Sequence, residues 1–264
     1  MLGLGTADSA ADTLGVGGLS GALDIDLSGV GGPGAADSLA VTREVAPRVL
    51  GPMLGGVFGR YRILDELGQG GMGKVFLAED VELRRQVALK VVLTPLPGAD
   101  DRERFFREAR ALARIRHPNV IPIYDVGEES GLPYYAMEYV AGETLSAHLA
   151  GGLDLREGVR ILARVARAID HVHSSGIVHR DLKPGNVMLD PAGEPRILDF
   201  GLARVDGEAG AALSRSGIRI GTPAYMSPEQ AAGRRREVDA RSDVWALGTI
   251  LFELAARRRA YSGE

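Results

Sequence analysis

No cysteine occurs in the 264 residues, so a disulfide framework and a thiolate metal site are both excluded, and a reducing, cytoplasmic setting is expected. Aromatic residues make up only 5% of the chain. No apolar run is long enough to cross a bilayer, and the N-terminus lacks the positive start and apolar core of a secretory signal. A basic surplus is missing as well. The formal net charge is −4, and all of it falls within residues 1–57, where five aspartates and Glu44 face only Arg43 and Arg48. The neutral remainder argues against a nucleic-acid partner, and Arg234-Arg235-Arg236 and Arg257-Arg258-Arg259 read as solvated helix ends. With 45% hydrophobic and 25% charged residues, the composition is that of an ordinary globular protein.

Residues 1–57 are predicted to form a flexible tail. Thirteen glycines between Met1 and Gly56, without a sustained helical or alternating period, make ordering this stretch entropically costly. From Tyr61 the pattern changes. Tyr61-Arg62-Ile63-Leu64 and Val75-Phe76-Leu77-Ala78 flank the cluster Gly68-Gln69-Gly70-Gly71-Met72-Gly73, which is a hairpin pattern. A dinucleotide-binding turn fails on context, because a second strand follows where a helix is required. A Walker-type phosphate loop needs a hydroxyl after Lys74, and Val75 stands there. A plain glycine-rich hairpin turn remains open at this point.

Val87-Ala88-Leu89-Lys90-Val91-Val92 is an apolar strand interrupted by one lysine, and an ammonium buried there needs a partner. Downstream, Asp100 or Asp101 can cap a helix running to about Arg116, where His117-Pro118 stops it. Its inward face is Phe105, Leu112 and Ile115, and Glu108 falls on the same face. The economical expectation is that Lys90 and Glu108 answer one another. The alternative is that Glu108 sits at the stripe edge and reaches water.

The densest chemistry lies in His179-Arg180-Asp181-Leu182-Lys183-Pro184-Gly185-Asn186, followed thirteen residues after Asn186 by Asp199-Phe200-Gly201. Pro184 and Gly185 forbid a regular helix, so the polar groups belong on a loop. The apolar runs Ile177-Val178, Val187-Met188-Leu189 and Ile197-Leu198 are predicted as three short strands presenting Asp181, Asn186 and Asp199. Such oxygens suit a hard cation such as Mg2+ that takes its other ligands from water and phosphate. A polar turn would explain an isolated His-Arg-Asp; it does not explain eight matching positions and a second motif at this distance.

These residues resemble the catalytic loop and the Asp-Phe-Gly metal motif of protein kinases, in the wording of bacterial Ser/Thr kinases of eukaryotic type. The resemblance covers roughly Phe58 to the end of the chain. It implies an α+β, bilobal kinase fold: a small lobe over about 58–137 with a five-stranded antiparallel sheet and one helix, a hinge at 138–142, and a mainly helical, incomplete large lobe from 143 to 264. It implies ATP and Mg2+ as cofactors, with Asp181, Lys183 and Asn186 catalytic and Asn186 with Asp199 on the metal. The nucleotide would be held by the glycine loop (Leu67, Gly68, Gln69, Gly70, Gly71, Met72, Gly73, Lys74 and Val75), by Ala88, by Lys90 with its partner Glu108, and by Met188. Met137-Glu138-Tyr139-Val140-Ala141-Gly142 resembles the hinge, where backbone groups at Glu138 and Val140 meet adenine and Met137 lines the back of the pocket. For those six residues a plain edge strand also remains open.

Two strands, Ile121 to Val126 and Leu132 to Val140, complete the expected sheet. Helices are predicted over Glu143 to Ala150 and Arg156 to His173, the second with the core stripe Val159, Leu162, Val165, Ile169 and Val172. His171 and His173 point apart on that helix and read as ordinary histidines rather than zinc ligands. The polar stretch Leu202 to Ile220 and the following Gly221-Thr222-Pro223-Ala224-Tyr225-Met226-Ser227-Pro228-Glu229 resemble an activation segment, with Ser227 in place of the usual Ala. By the same resemblance Arg180 marks control through phosphate on Ser214, Ser216 or Thr222. A helix opened by Ser242-Asp243 is apolar on nearly every face and expected to be buried all round; the resemblance implies that Asp243 bonds the catalytic-loop backbone. Kinases continue through three further helices, so a truncated domain is expected, and a membrane anchor or sensor domain is common beyond that point. The implied function is phosphorylation of Ser or Thr on a protein substrate, with possible self-association for autophosphorylation in trans. An inactive ATP-binding scaffold is the alternative.

Overall fold

Strand alternation divides the first half of the molecule into two apolar layers. The computed structural model describes residues 55–70, 73–93, 98–201 and 223–261. Outside them lie residues 1–54 of the expected tail, Gly71, Met72, and the hydroxyl residues Ser214, Ser216 and Thr222. Among the described residues the strands β1 (Val57–Phe58), β2 (Tyr61–Gly70), β3 (Gly73–Asp80), β4 (Arg85–Val92), β5 (Ile123–Glu129) and β6 (Leu132–Glu138) form an antiparallel sheet in the order β1-β2-β3-β4-β6-β5. It has six strands rather than five because Val57 and Phe58 pair with Arg62 and Tyr61 at the edge. Along β4, Val87, Leu89 and Val91 enter one core with Phe58, Tyr61, Ile63 and Phe76. Ala88 and Val92 enter the other, against the helix α1 (Ala99–Leu112). Lys90 lies between them on this second face, as the period of two requires.

Helix α1 packs Phe105, Ala109 and Leu112 onto that face. Neither Asp100 nor Asp101 caps it. Gly98 holds the N-cap position without a side-chain bond, and the two aspartates lie in the first turn, where the helix dipole favours them. Gly73 is required at the start of β3, since a Cβ there would sit 2.1 Å from the Val91 carbonyl oxygen of the neighbouring strand.

The second half is helical around a small sheet of β7 (Glu143–Thr144), β8 (Val187–Leu189) and β9 (Pro195–Ile197). Ile177-Val178 is not a strand, which corrects the expectation of three. Helix α2 (Leu145–Ala150) is capped by Thr144 and helix α3 (Leu155–Ser174) by Asp154, whose carboxylate accepts from the N–H groups of Arg156 and Glu157. The buried stripe of α3 is Ile161, Leu162, Val165, Ala168, Ile169 and Val172, whereas Val159 is exposed. After the short helix α4 (Pro228–Ala231) comes α5 (Ala240–Ala256), which starts two residues earlier than expected because Asp239 accepts from Arg241 N–H. It buries Ala246, Ile250 and Leu254 but leaves Val244, Leu251 and Phe252 exposed, so its all-round burial is not observed.

One buried charge joins α5 to the catalytic segment. Asp243 is 1% exposed, and its carboxylate accepts from the backbone N–H groups of His179 (2.8 Å) and Arg180 (2.9 Å) and meets Nε2 of His173 at 2.7 Å. Arg180 itself has a positive φ of 65°, a strained conformation that needs such support. Asp243→Ala strands two N–H donors in the interior and is expected to lower the unfolding free energy by about 3 kcal/mol or more in denaturant titrations at pH 7. A loss below about 1 kcal/mol would show that the carboxylate is not the anchor.

Candidate active site

A cleft of about 560 Å³ lies beneath the glycine hairpin. Leu67, Gly68, Gln69, Gly70, Gly73 and Val75 form its roof with Ala88 and Lys90; Met137 to Val140 form its back; Met188 and Leu198 form its floor. Asp181, Lys183, Asn186 and Asp199 converge at its open end. Gly142 lets the chain turn from the back wall to the floor, because a Cβ there would lie 2.0 Å from the Leu189 carbonyl oxygen. An apolar slot ending in a few convergent charges is the usual form of a small-molecule site.

The catalytic segment and the Asp-Phe-Gly motif are knitted together through the backbone. Leu198 N–H donates to the Asn186 carbonyl at 2.9 Å, and Gly201 N–H donates to the His179 carbonyl at 2.9 Å. Phe200 is buried and its ring lies 4.5 Å from that of His179. With Phe200 turned inward, Asp199 faces the cleft, at the cost of a left-handed φ of 47°. Lys183 Nζ donates to Asp181 Oδ2 at 2.9 Å. The Asn186 amide donates to the Asp181 carbonyl (2.8 Å) and to Asp181 Oδ2 (3.1 Å).

The expected pair between Lys90 and Glu108 is not formed. Lys90 Nζ lies 2.8 Å from Asp199 Oδ1, and Glu108 Oε1 lies 3.5 Å from the Arg180 guanidinium. All four side chains are half-buried. Lys74 also lies outside the cleft lining, since its ammonium meets Glu66 across the hairpin at 2.8 Å.

Several residues absent from the expected site set belong to the site, Leu198 of the floor among them. Ile121 lines the cleft. Arg196 of β9 pairs with the Glu138 carboxylate, tying the back wall to the floor. The Tyr135 hydroxyl donates to Asp199 Oδ1 at 3.1 Å. Their signal in sequence was weak, because each reads as an ordinary strand residue.

The donor set fits a magnesium ion. With its amide nitrogen committed to Asp181, Asn186 keeps its carboxamide oxygen as an acceptor, and Asp199 supplies carboxylate oxygen beside it. Among the described residues no group of three or more His, Asp or Glu forms a closed metal cage. Two protein oxygens suit an ion that takes its remaining ligands from water and phosphate.

A family model, Protein kinase domain, matches residues 61–264. The chain belongs to the protein kinase family. It is 48% identical over 213 residues to the DNA damage-responsive serine/threonine-protein kinase RqkA of Deinococcus radiodurans, covering 78% of this chain and 31% of that one. With serine/threonine-protein kinase PrkC of Bacillus subtilis the identity is 40%, over 79% of this chain and 32% of the relative. The chain thus spans about a third of the length of these relatives. The crystal structure of the Mycobacterium tuberculosis PknI kinase domain superposes with a TM-score of 0.64 at 31% identity, covering 79% of both chains.

Within this kinase domain His179 is wholly buried and works as a neutral ring. Its Nε2 lies 2.9 Å from the Leu198 carbonyl, while Nδ1 accepts the Asp181 N–H at 3.3 Å. Desolvation pulls its pKa below the ordinary 6.5, against the opposing pull of Asp243 and Asp181. A group with a depressed folded pKa contributes stability that is complete above the unfolded value and is lost as pH falls toward the folded one. The unfolding free energy should therefore decline as pH drops below about 6.5, with the His179 ring titrating below a free histidine by nitrogen NMR shifts. A ring half-protonated at pH 6.5 would contradict this.

Proposed function

We propose that this kinase domain transfers the γ-phosphoryl group of ATP to a Ser or Thr hydroxyl of a protein. The observation that carries the reading is the meeting of Asp181, Lys183, Asn186, Asp199 and Lys90 at the mouth of one apolar cleft. Ala88, Met188 and the backbone of Glu138 and Val140 would hold the adenine, and the glycine hairpin would cover the phosphates. Asp181 orients the acceptor hydroxyl and takes its proton as the new P–O bond forms and the bond to the β-phosphate oxygen breaks, releasing ADP. Lys183, held on Asp181, balances charge on the transferring group. Asn186 and Asp199 hold magnesium, which supplies charge neutralisation at the phosphates when bound. The similarity to named serine/threonine-protein kinases supports Ser and Thr as acceptors.

Control by autophosphorylation is part of the proposal, and the ion pairs of Glu108 and Lys90 offer it a route. A phosphate on Ser214, Ser216 or Thr222 competes with Glu108 for Arg180, which frees Glu108 to meet Lys90 and draws Lys90 away from Asp199. Self-association of two chains allows this in trans. Peptide mapping of fully active protein should find phosphate on at least one of the three; full activity with all three bare would exclude the device.

One observation favours a second reading, a nucleotide-binding protein without transferase activity: Glu108 lies on Arg180 rather than Lys90. Labelled-phosphate transfer separates the two. Asp181→Asn should lower transfer by about 10²–10⁴ while nucleotide affinity, read by thermal shift, stays within about twofold of wild type. Equal loss of both would make Asp181 a structural residue.

A further inference from the structure

The two oxygens of Asp199 are used differently. Lys90 Nζ and the Tyr135 hydroxyl both reach Oδ1, at 2.8 and 3.1 Å, and among the described residues nothing bonds Oδ2. The reason lies in the sheet. Lys90 on β4 and Tyr135 on β6 are direct partners in the antiparallel register, so their side chains leave the same face side by side. The Lys90 ammonium sits 5.8 Å from the Tyr135 ring centre. Tyr135 is 2% exposed, packed against Phe105 of α1, and spends its hydroxyl on Asp199 alone. A buried phenol whose only partner is the carboxylate of a strained, left-handed residue is poorly explained by packing, for which phenylalanine would serve.

We propose that Tyr135 is a positioning residue for the metal. Its hydroxyl anchors Oδ1 of Asp199 and thereby aims Oδ2 at the cation. The inference rests on the reading of Asn186 and Asp199 as magnesium ligands. In that reading Lys90 turns to the nucleotide phosphates and to Glu108, and Tyr135 then remains as the anchor that holds Asp199 at its positive φ. A carboxylate ligand fixed from its outer oxygen loses less freedom on binding the ion, and removal of such outer-shell partners typically weakens metal affinity by about 10–100-fold.

The test is a titration of the whole chain with Mn2+ at a fixed concentration of a non-hydrolysable ATP analogue, read by electron paramagnetic resonance. Tyr135→Phe should weaken Mn2+ binding about tenfold, leave metal-free binding of the analogue unchanged, and raise the Mg2+ concentration needed for transfer while kcat recovers at saturating Mg2+. Unchanged Mn2+ affinity in the variant would overturn the inference, as would an equal loss of metal-free analogue binding, which marks a general packing defect. Tyr135→Met, which also lacks the hydroxyl, is titrated in parallel, so that misfolding of one variant does not decide the result. If wild-type protein itself shows no Mn2+-dependent binding of the analogue, the magnesium reading of the site falls and this inference with it. That outcome is distinct from a variant that matches a metal-binding wild type.

Discussion

The site depends on one carboxylate buried beneath it. Asp243, on α5, takes the N–H groups of His179 and Arg180 and so fixes the backbone from which Asp181 projects. A loop containing Pro184 and Gly185 cannot hold itself by helical or ladder bonds, and Arg180 adds a left-handed torsion. The cost of burying the charge is offset by several short hydrogen bonds, without which it would be prohibitive. The same carboxylate meets His173 of α3, so two helices and the catalytic loop share one electrostatic post.

From that post the ion pairs run outward as a chain of alternating charge. Glu108 lies on Arg180, Lys90 on Asp199, and Lys183 on Asp181. Exposed or half-exposed pairs of this kind are each worth only about 1 kcal/mol or less. A doubly charged phosphate introduced near Arg180, or nucleotide phosphates introduced near Lys90, is enough to reorder such a set. The proposed switching by charge would act on side chains held by a fixed backbone.

Much of this was legible in the residues. The spacing of His179 to Asn186 and Asp199 to Gly201 singled out residues that meet at one cleft, and Lys90 inside an apolar strand announced an ion pair. The partner was misassigned because helix periodicity places Glu108 on the inward face without saying which cation lies nearest. Arg180 reaches it from a loop whose torsion no sequence pattern reveals. Val159 failed as a core position for a related reason: the other four members of its expected stripe are buried, but the buried face of α3 begins with Gly158, Ile161 and Leu162, and Val159 lies past Leu162 on the solvent side. Tyr135 and Arg196 were invisible as functional residues, since alternation gives a face but not the tertiary neighbour beyond it. The sixth strand was missed because two residues, Val57 and Phe58, are too few to show a period.

The account's central claim is that one cleft brings phosphate and a cation to Lys90, Asn186 and Asp199 together. Crystals grown with a non-hydrolysable ATP analogue and Mn2+ test it through the anomalous signal of the metal. The expected result is a peak within coordination distance of both the Asn186 carboxamide oxygen and the Asp199 carboxylate, with the analogue's phosphates within reach of Lys90. A metal bound elsewhere, or phosphates lying away from these three residues, would contradict it.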